Sequence, residues 1–370
     1  MTETTSDAIR SPFYPLHADL GATFVEEGGW FWTEGFGDTL GEHDAVRNDL
    51  GVWDVSPLNK WDFRGSDALA AAQRLHSGDV LGLEIGQVRY GAFCDEDGLM
   101  IDDGTVYRLA DDHVWVMTNG SDHAEHFAGA TKGLNVGIAY VAAEMPHIGL
   151  LGPRAREALA PLTDVDLSSL RYFHFVPEPV TVGGVPCHLS RTGFGGELGY
   201  ELFVRPEHAA DIWAVATDQA KARPFGTNAI EVLRIEAGLI VTDYDYEAHQ
   251  RSPYDFSFDR LITRNPAADY LGKAALQSVA ANPPNRFKTL RLEGSELPEY
   301  GAAVTRDGAE VGTLTSPTDS PEFGPIGIGV LRSDVARDGE QVDVAIGDAT
   351  VRATVDVLPV YDPQKLRPRS

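Results

Sequence analysis

The sequence predicts an α+β protein: a mixed α/β region over residues 1–280, then a small β domain over residues 281–370. Three observations carry this reading. Short β-rich runs alternate with helical stretches through the first part. The polar stretch Ala280–Asn285 contains two prolines and reads as a linker. After it the helical spacing stops, and strand-like runs follow one another between Gly, Pro and Asp turns.

In chain order, Ala68–His76 has the spacing of an amphipathic helix, and Val114–Thr118 is a buried strand. Pro179–Val182 and Val185–Arg191 form a strand pair around Gly183-Gly184. The glycine-dense turn Gly193–Gly199 and the strand Tyr200–Val204 come next. Pro206–Lys221 is helical in spacing, and a second helix over Asn228–Ala237 sets Ile230, Leu233, Ile235 and Ala237 among charged residues. In the terminal domain Phe287–Leu292, Ala302–Arg306, Glu310–Ser316, Gly327–Arg332 and Gln341–Ile346 alternate or run apolar, as in a small barrel or sandwich.

A chain of 370 residues, 43% hydrophobic, has room for two or three domains with real cores. No apolar run approaches the roughly 20 residues that span a bilayer. The segment Met1–Arg10 is polar and has no signal-type core, so the expectation is a cytoplasmic protein with no membrane partner. Cys94 and Cys187 are too few for a disulfide framework, stand in no metal-ligand spacing, and fit a reducing compartment. His43, His76, His113, His123, His126 and His147 include no H-E-x-x-H or comparable spacing, so no metal site is expected.

The formal charge of −26 leaves no excess of Lys and Arg to neutralise phosphates, so nucleic acid is not an expected partner. Only six of the 30 basic residues are lysines. Two readings stay open: a surface adapted to high salt, where screening relieves self-repulsion, or GC-rich codon usage with an ordinary acidic surface.

Three places could carry chemistry. Asp102 and Asp103 lie between Gly98 and the strand-like Thr105–Leu109; on an extended segment their side chains point to opposite faces, so one of them can face a given pocket. The plainer reading is a turn aspartate pair. The run Ser190–Glu201 packs glycines around Phe194 and ends in a carboxylate on a strand, suited to accept two parallel N–H bonds from a planar ring. A glycine-rich hairpin turn is the plain alternative. Trp30, Trp32 and Trp53, with Tyr90 and Tyr107, suit either an aromatic wall for a cationic methyl donor or an ordinary core.

Taken together, the segments resemble the aminomethyltransferase, or glycine cleavage T-protein, superfamily from about Gly41 to the C-terminus. The matching pieces are Glu42-His43 with Arg47, Val52-Trp53-Asp54-Val55-Ser56, Gly86-Gln87 with Tyr90, Gly98 through Asp102-Asp103, Gly152-Pro153, Ser190–Glu201, Leu233-Arg234-Ile235-Glu236-Ala237-Gly238, and Gly312–Ser316. The resemblance implies intertwined mixed α/β subdomains around a central channel with a small C-terminal β-barrel, and tetrahydrofolate as cofactor. It implies that Glu201 grips the pterin and that Tyr90, Asn119 and Phe194 line the channel. Asp103 is then the catalytic carboxylate near the cofactor's reacting nitrogen, with Asp102 beside it among the cofactor-binding positions.

Departures from the pattern point to the donor. The glycine-cleavage members carry an Arg-Asp pair where this chain has Ile230-Glu231, so a basic contact is missing. Leu151 replaces a glutamine, Phe258 replaces a channel tryptophan, and Ile240-Val241-Thr242 leads into the unusual Asp243-Tyr244-Asp245-Tyr246-Glu247. These changes resemble the branch that demethylates sulfonium, quaternary ammonium or aryl ether compounds onto tetrahydrofolate. The expected partner is therefore a free small-molecule donor, with Trp30, Trp32, Tyr244 and Phe258 as substrate positions. The Asp243–Glu247 stretch otherwise reads as a solvated loop. The alternative is an aminomethyltransferase working with the lipoylated carrier protein of glycine cleavage. A non-catalytic folate-binding relative, such as the iron–sulfur assembly factor, comes last, because neither cysteine has that factor's Lys-Gly-Cys-Tyr surroundings.

Overall fold

The computed structural model describes residues 7–120 and 122–370. The first six residues, part of the polar segment Met1–Arg10, lie outside it. The chain forms two compact units. The first comprises the residues up to Trp61, Ala139–Ile230 and Arg367–Ser370, and the second comprises Asp62–Ile138 and Glu231–Leu366.

The first unit is built on a seven-stranded sheet. Its main path runs His174–Phe175, Val185–Arg191, Gly199–Phe203, His147–Leu151, Gly51–Asp54 and Arg223–Pro224, and Val180–Val182 pairs with Val185–Arg191 off that path. Tyr200 and Leu202 are fully buried in the same cluster as Leu150, Leu189 and Ile212. Glu201 lies between them in sequence, so strand alternation turns it to the opposite face. There its backbone registers with Gly149 on one side and Ser190 on the other. A separate hairpin, Thr23–Glu27 with Trp30–Gly35, turns on Gly28 and Gly29, both at positive φ. Two such residues in succession suit the tight turn that matches strand twist.

The helix expected over Pro206–Lys221 is observed in three pieces: a 3-10 turn at Pro206–His208, an α-helix at Ala209–Ala214 and a π-turn at Val215–Gln219. Packing accounts for the widening. Val215 presses on Gly183, where an added Cβ would stand 2.5 Å from its methyl carbon, and Val215, Ala216 and Ala220 are all buried. Bonds from Ala220 N to Val215 O and from Ala222 N to Ala216 O close the wide turns.

In the second unit three antiparallel strands are consecutive in space, Val88–Cys94, Met100–Ala110 and His113–Thr118, within a five-stranded sheet. The aspartate pair is therefore inside a strand, not in a turn. Both residues are buried, and they pair with Ala92 and Phe93. Gly104, the next residue, is where two strands close up: an added Cβ would stand 1.9 Å from the Met117 carbonyl oxygen. Gly104→Ala is expected to cost more than about 1 kcal/mol of stability, read as a lower urea midpoint.

The terminal domain is a closed antiparallel barrel in the order Asn285–Leu292, Gly324–Arg332, Ala309–Ser320, Ala302–Arg306, Gln341–Ile346 and Ala349–Asp356. Leu290, Val304, Leu314, Leu331, Val342, Val344 and Val355 form its buried interior. Closure removes the exposed edges that a sandwich would retain. The sixth strand, Ala349–Asp356, was not among the five expected. It closes the ring by pairing Leu290 with Val355.

The helix Thr227–Glu236 stops at Gly238, whose φ of +64° lets Leu239 N reach back to Arg234 O. Among the described residues no helix is long and apolar enough to cross a membrane.

Candidate active site

Asp103 is the centre of a buried polar cluster in the second unit. Tyr90 pairs with Thr105 and Ala92 with Asp103, so Tyr90 and Asp103 are diagonal neighbours on one sheet face. The Tyr90 hydroxyl donates to Asp103 Oδ2 at 2.8 Å, and the Tyr246 hydroxyl donates to Oδ1 at 2.5 Å. Phe258 packs edge-on against Tyr90, with ring centroids 5.6 Å apart. Burial, and then the neighbouring Asp102, push the Asp103 carboxyl above the ordinary carboxylate range, against the pull of the two phenols. Burial and Asp103 in turn push both phenols well up, so they remain O–H donors.

Asp102 faces the other way. Its Oδ1 accepts from Asn119 Nδ2 at 2.8 Å and from Asp103 N at 2.7 Å. Its Oδ2 accepts from the backbone N–H of Asn119 and Gly120 and lies 2.7 Å from His123 Nε2. Asn119 Nδ2 also donates to Asp103 O at 2.9 Å. Asp102 is thus held on both oxygens by the protein and is 1% exposed.

The acidic tyrosine-rich stretch is solvated at Asp243, Tyr244 and Glu247 but turns two residues inward. Asp245 and Tyr246 are each 4% exposed, whereas Tyr244 is 42% exposed and stands against Tyr300 with centroids 5.7 Å apart. Asp245 is drawn inward by Arg234 Nη1 at 2.7 Å, Ser316 Oγ at 2.8 Å, Val241 N at 2.8 Å and the Thr315 hydroxyl. Arg234 also grips Glu231, through Nε at 2.8 Å and again through Nη2, and Glu231 accepts from Tyr300 at 2.7 Å.

In the first unit Glu201 accepts from the Thr192 hydroxyl, which is bonded to Ser190 Oγ at 2.7 Å. The glycine-rich loop above it is anchored by Arg47, which donates to Gly195 O at 2.6 Å and pairs with buried Glu197 at 3.4 Å. Phe194 on that loop is half-buried. Behind Glu201 lies a group that sequence reasoning did not single out. Lys60 is fully buried and donates to Ser56 O at 2.9 Å and Leu58 O at 2.7 Å. Burial pulls its ammonium down to about 7, with Asp54 and Glu201 opposing. His147, stacked on Phe203 at 4.5 Å and 4.0 Å from Glu201 Oε1, is held well below its usual value by burial and then by Lys60.

Because the folded Lys60 loses its proton near 7 and the unfolded one near about 10.4, the unfolded chain binds the extra proton between those values. This group's contribution to stability therefore rises with pH across that window. The stability of Lys60→Met relative to the parent is expected to fall as pH rises from 7 to 10 in urea titrations, and a difference independent of pH would contradict it.

Trp30 is 3% exposed and belongs to the interior. Trp32 is half-buried and stands 6.0 Å from Trp53, which is 6.1 Å from Phe225. Among the described residues no group of three or more His, Cys, Asp or Glu is placed to hold a metal ion.

The family models then decide the lineage. Residues 13–265 match the GCVT N-terminal domain, and residues 285–362 match the glycine cleavage T-protein C-terminal barrel domain. The chain belongs to the glycine cleavage T-protein family. An aminomethyltransferase of Geobacillus thermodenitrificans is 33% identical over 359 residues, covering 95% of this chain and 98% of the relative. A probable aminomethyltransferase of Halobacterium salinarum is 34% identical over 367 residues, with the same coverage. The crystal structure of aminomethyltransferase T of the glycine cleavage system from Bartonella henselae shares the fold. Its TM-score is 0.86 at 22% identity, over 96% of this chain and 98% of that one.

This T-protein family member is a folate-dependent one-carbon transferase, and tetrahydrofolate is the family's cofactor. Within the second unit, a buried carboxylate oriented by two phenols, Asp103, has the chemistry to meet developing positive charge.

Proposed function

We propose that the protein transfers an aminomethyl-derived one-carbon unit to tetrahydrofolate in the manner of glycine cleavage, with a lipoylated carrier protein presenting the donor. Relatives named aminomethyltransferase, 30–34% identical over at least 95% of this chain, support that choice of donor over the free methylated molecule expected from the sequence. The observation that carries the chemistry is the buried Asp103 carboxylate fixed by Tyr90 and Tyr246.

When bound, tetrahydrofolate supplies the nitrogen that takes up the one-carbon unit. Asp103 stabilises the positive charge that develops there and helps the proton leave. Tyr90 and Tyr246 hold its carboxylate in place, so no reorientation is needed as the charge appears. Asp102 fixes Asn119 and the strand that carries Asp103. Glu201 grips the pterin, with Thr192 fixing one of its oxygens. Glu201→Ala should weaken tetrahydrofolate binding by about 1.5–3 kcal/mol, the range for a lost hydrogen bond to a charged group. Equal affinity in calorimetric titration would remove Glu201 from that role.

A second reading keeps a specific observation on its side. Where glycine-cleavage members have an Arg-Asp pair this chain has Ile230-Glu231, and Glu231 is committed to Arg234 and Tyr300. That favours demethylation of a small sulfonium, quaternary ammonium or aryl ether donor, near Tyr244 and Phe258. One experiment separates the two. The protein is incubated with tetrahydrofolate and either the aminomethylated lipoyl carrier or a panel of methylated donors. Carrier-dependent release of ammonia supports aminomethyl transfer; demethylation without carrier supports the second reading.

A further inference from the structure

Asp103 shares its strand with a second buried carboxylate one residue away, and two adjacent carboxylates resist ionising together. The surroundings of the pair are unequal. Asp103 faces two phenol donors, Tyr90 from the strand Val88–Cys94 and Tyr246 from the stretch after Gly238, with the Asp245 carboxylate, paired with Arg234, beyond them. Asp102 faces backbone N–H groups, the Asn119 amide, the more distant Asp243 and one ring able to carry positive charge, His123, at 2.7 Å. His123 is buried, stacks on Phe127 at 5.5 Å, and has Asp122 4.0 Å from Nδ1 and the ring of His126, which burial biases toward its neutral form, as titratable neighbours. Side-chain exposures of 9% for His123 and 1% for Asp102 leave little solvent to screen the contact.

We propose that His123 acts through Asp102 as a positioning residue for Asp103: its ring, bonded to Asp102 Oδ2, offsets the charge of that carboxylate and so favours Asp103 as the carboxylate beside it. The connection is short. The same Asp102 group accepts from His123 on Oδ2 and from the Asp103 backbone N–H on Oδ1, and Asn119 bridges Asp102 Oδ1 and Asp103 O. The upward push that Asp102 exerts on Asp103 agrees with this arrangement. A histidine serving only to tie down the Asn119 loop would need no charge, since the neutral ring also donates through Nε2.

The inference rests on the reading of Asp103 as the reacting carboxylate, and the test separates the two. Carbon-13 NMR of the aspartate carboxyls in the cofactor-free protein follows the Asp103 titration directly, with the signal assigned by its loss in Asp103→Asn. The acid limb of tetrahydrofolate-dependent turnover is measured beside it. His123→Gln keeps a neutral donor and removes the charge; it should move the Asp103 titration and the acid limb up by about 0.5 to 1 pH unit. Asp102→Asn should move both down. Circular dichroism establishes that each variant is folded, and if Asp102→Asn is not, His123→Gln alone decides. An unmoved titration in His123→Gln, or two variants shifting the same way, overturns the proposal. Full turnover in Asp103→Asn overturns the functional reading instead, while the NMR result still decides the coupling.

Discussion

Asp103→Asn is expected to lower turnover about 10²- to 10³-fold while leaving tetrahydrofolate affinity near that of the parent. The asymmetry follows from the site. Asparagine keeps the size of the group and can still accept from one phenol, so the ground-state surroundings change little. What it removes is the fixed negative charge, which acts only as positive charge develops in the transition state. A pH dependence should accompany it. Burial and Asp102 raise the Asp103 carboxyl above its ordinary value, so the parent's turnover should fall on acidification at a pH above the usual carboxylate range. The variant should lack that limb. Equal loss of affinity and turnover would mean that Asp103 binds the cofactor rather than serving the reaction.

The largest effect on stability is expected at Arg234. Arg234→Ala should destabilise the protein by about 3–5 kcal/mol, the range for removing one partner of a buried ion pair. Its side chain and that of Asp245 are both 0% exposed, and the pair is completed by Ser316, Thr315 and Glu231. Without the guanidinium, Asp245 is left as an uncompensated charge in the interior, and Tyr246 loses the neighbour that fixes its backbone beside Asp103. Urea unfolding should show a lower midpoint at unchanged slope. The double variant Arg234→Met with Asp245→Leu should recover part of the loss, because removing both charges leaves none unpaired. No recovery would place the energy in the remaining hydrogen bonds.

The parts of the fold legible in the sequence are those whose signals are local. Val114-Trp115-Val116 announces a buried strand, and the turns between Phe287 and Ile346 announce a β domain. The strand Ala349–Asp356 was missed because Ala349, Thr350, Val351 and Arg352 carry little apolar contrast; its place is set by pairing with a strand some 60 residues earlier. The same limit applies to the site. Glu201 follows from strand alternation between Tyr200 and Leu202, and Asp103 from its extended context together with the family resemblance. Tyr246 meets Asp103 across 143 residues of sequence, and Lys60 becomes visible only once its burial is known. Buried lysines are rare enough that no local pattern announces one. The solvated reading of Asp243–Glu247 holds for Asp243, Tyr244 and Glu247 and misses Asp245 and Tyr246 for a related reason. Asp245 looks exposed until the arginine that pairs with it is found, and Arg234 lies on a different element.

The most direct test of the folate-dependent account is calorimetric titration of tetrahydrofolate into the purified protein, at low salt and at high salt. The account predicts saturable binding to a single class of site, weakened in Glu201→Ala and nearly unchanged in Asp103→Asn. Absence of saturable binding at every salt concentration would contradict it, and would mean that this chain keeps the T-protein fold without its cofactor chemistry.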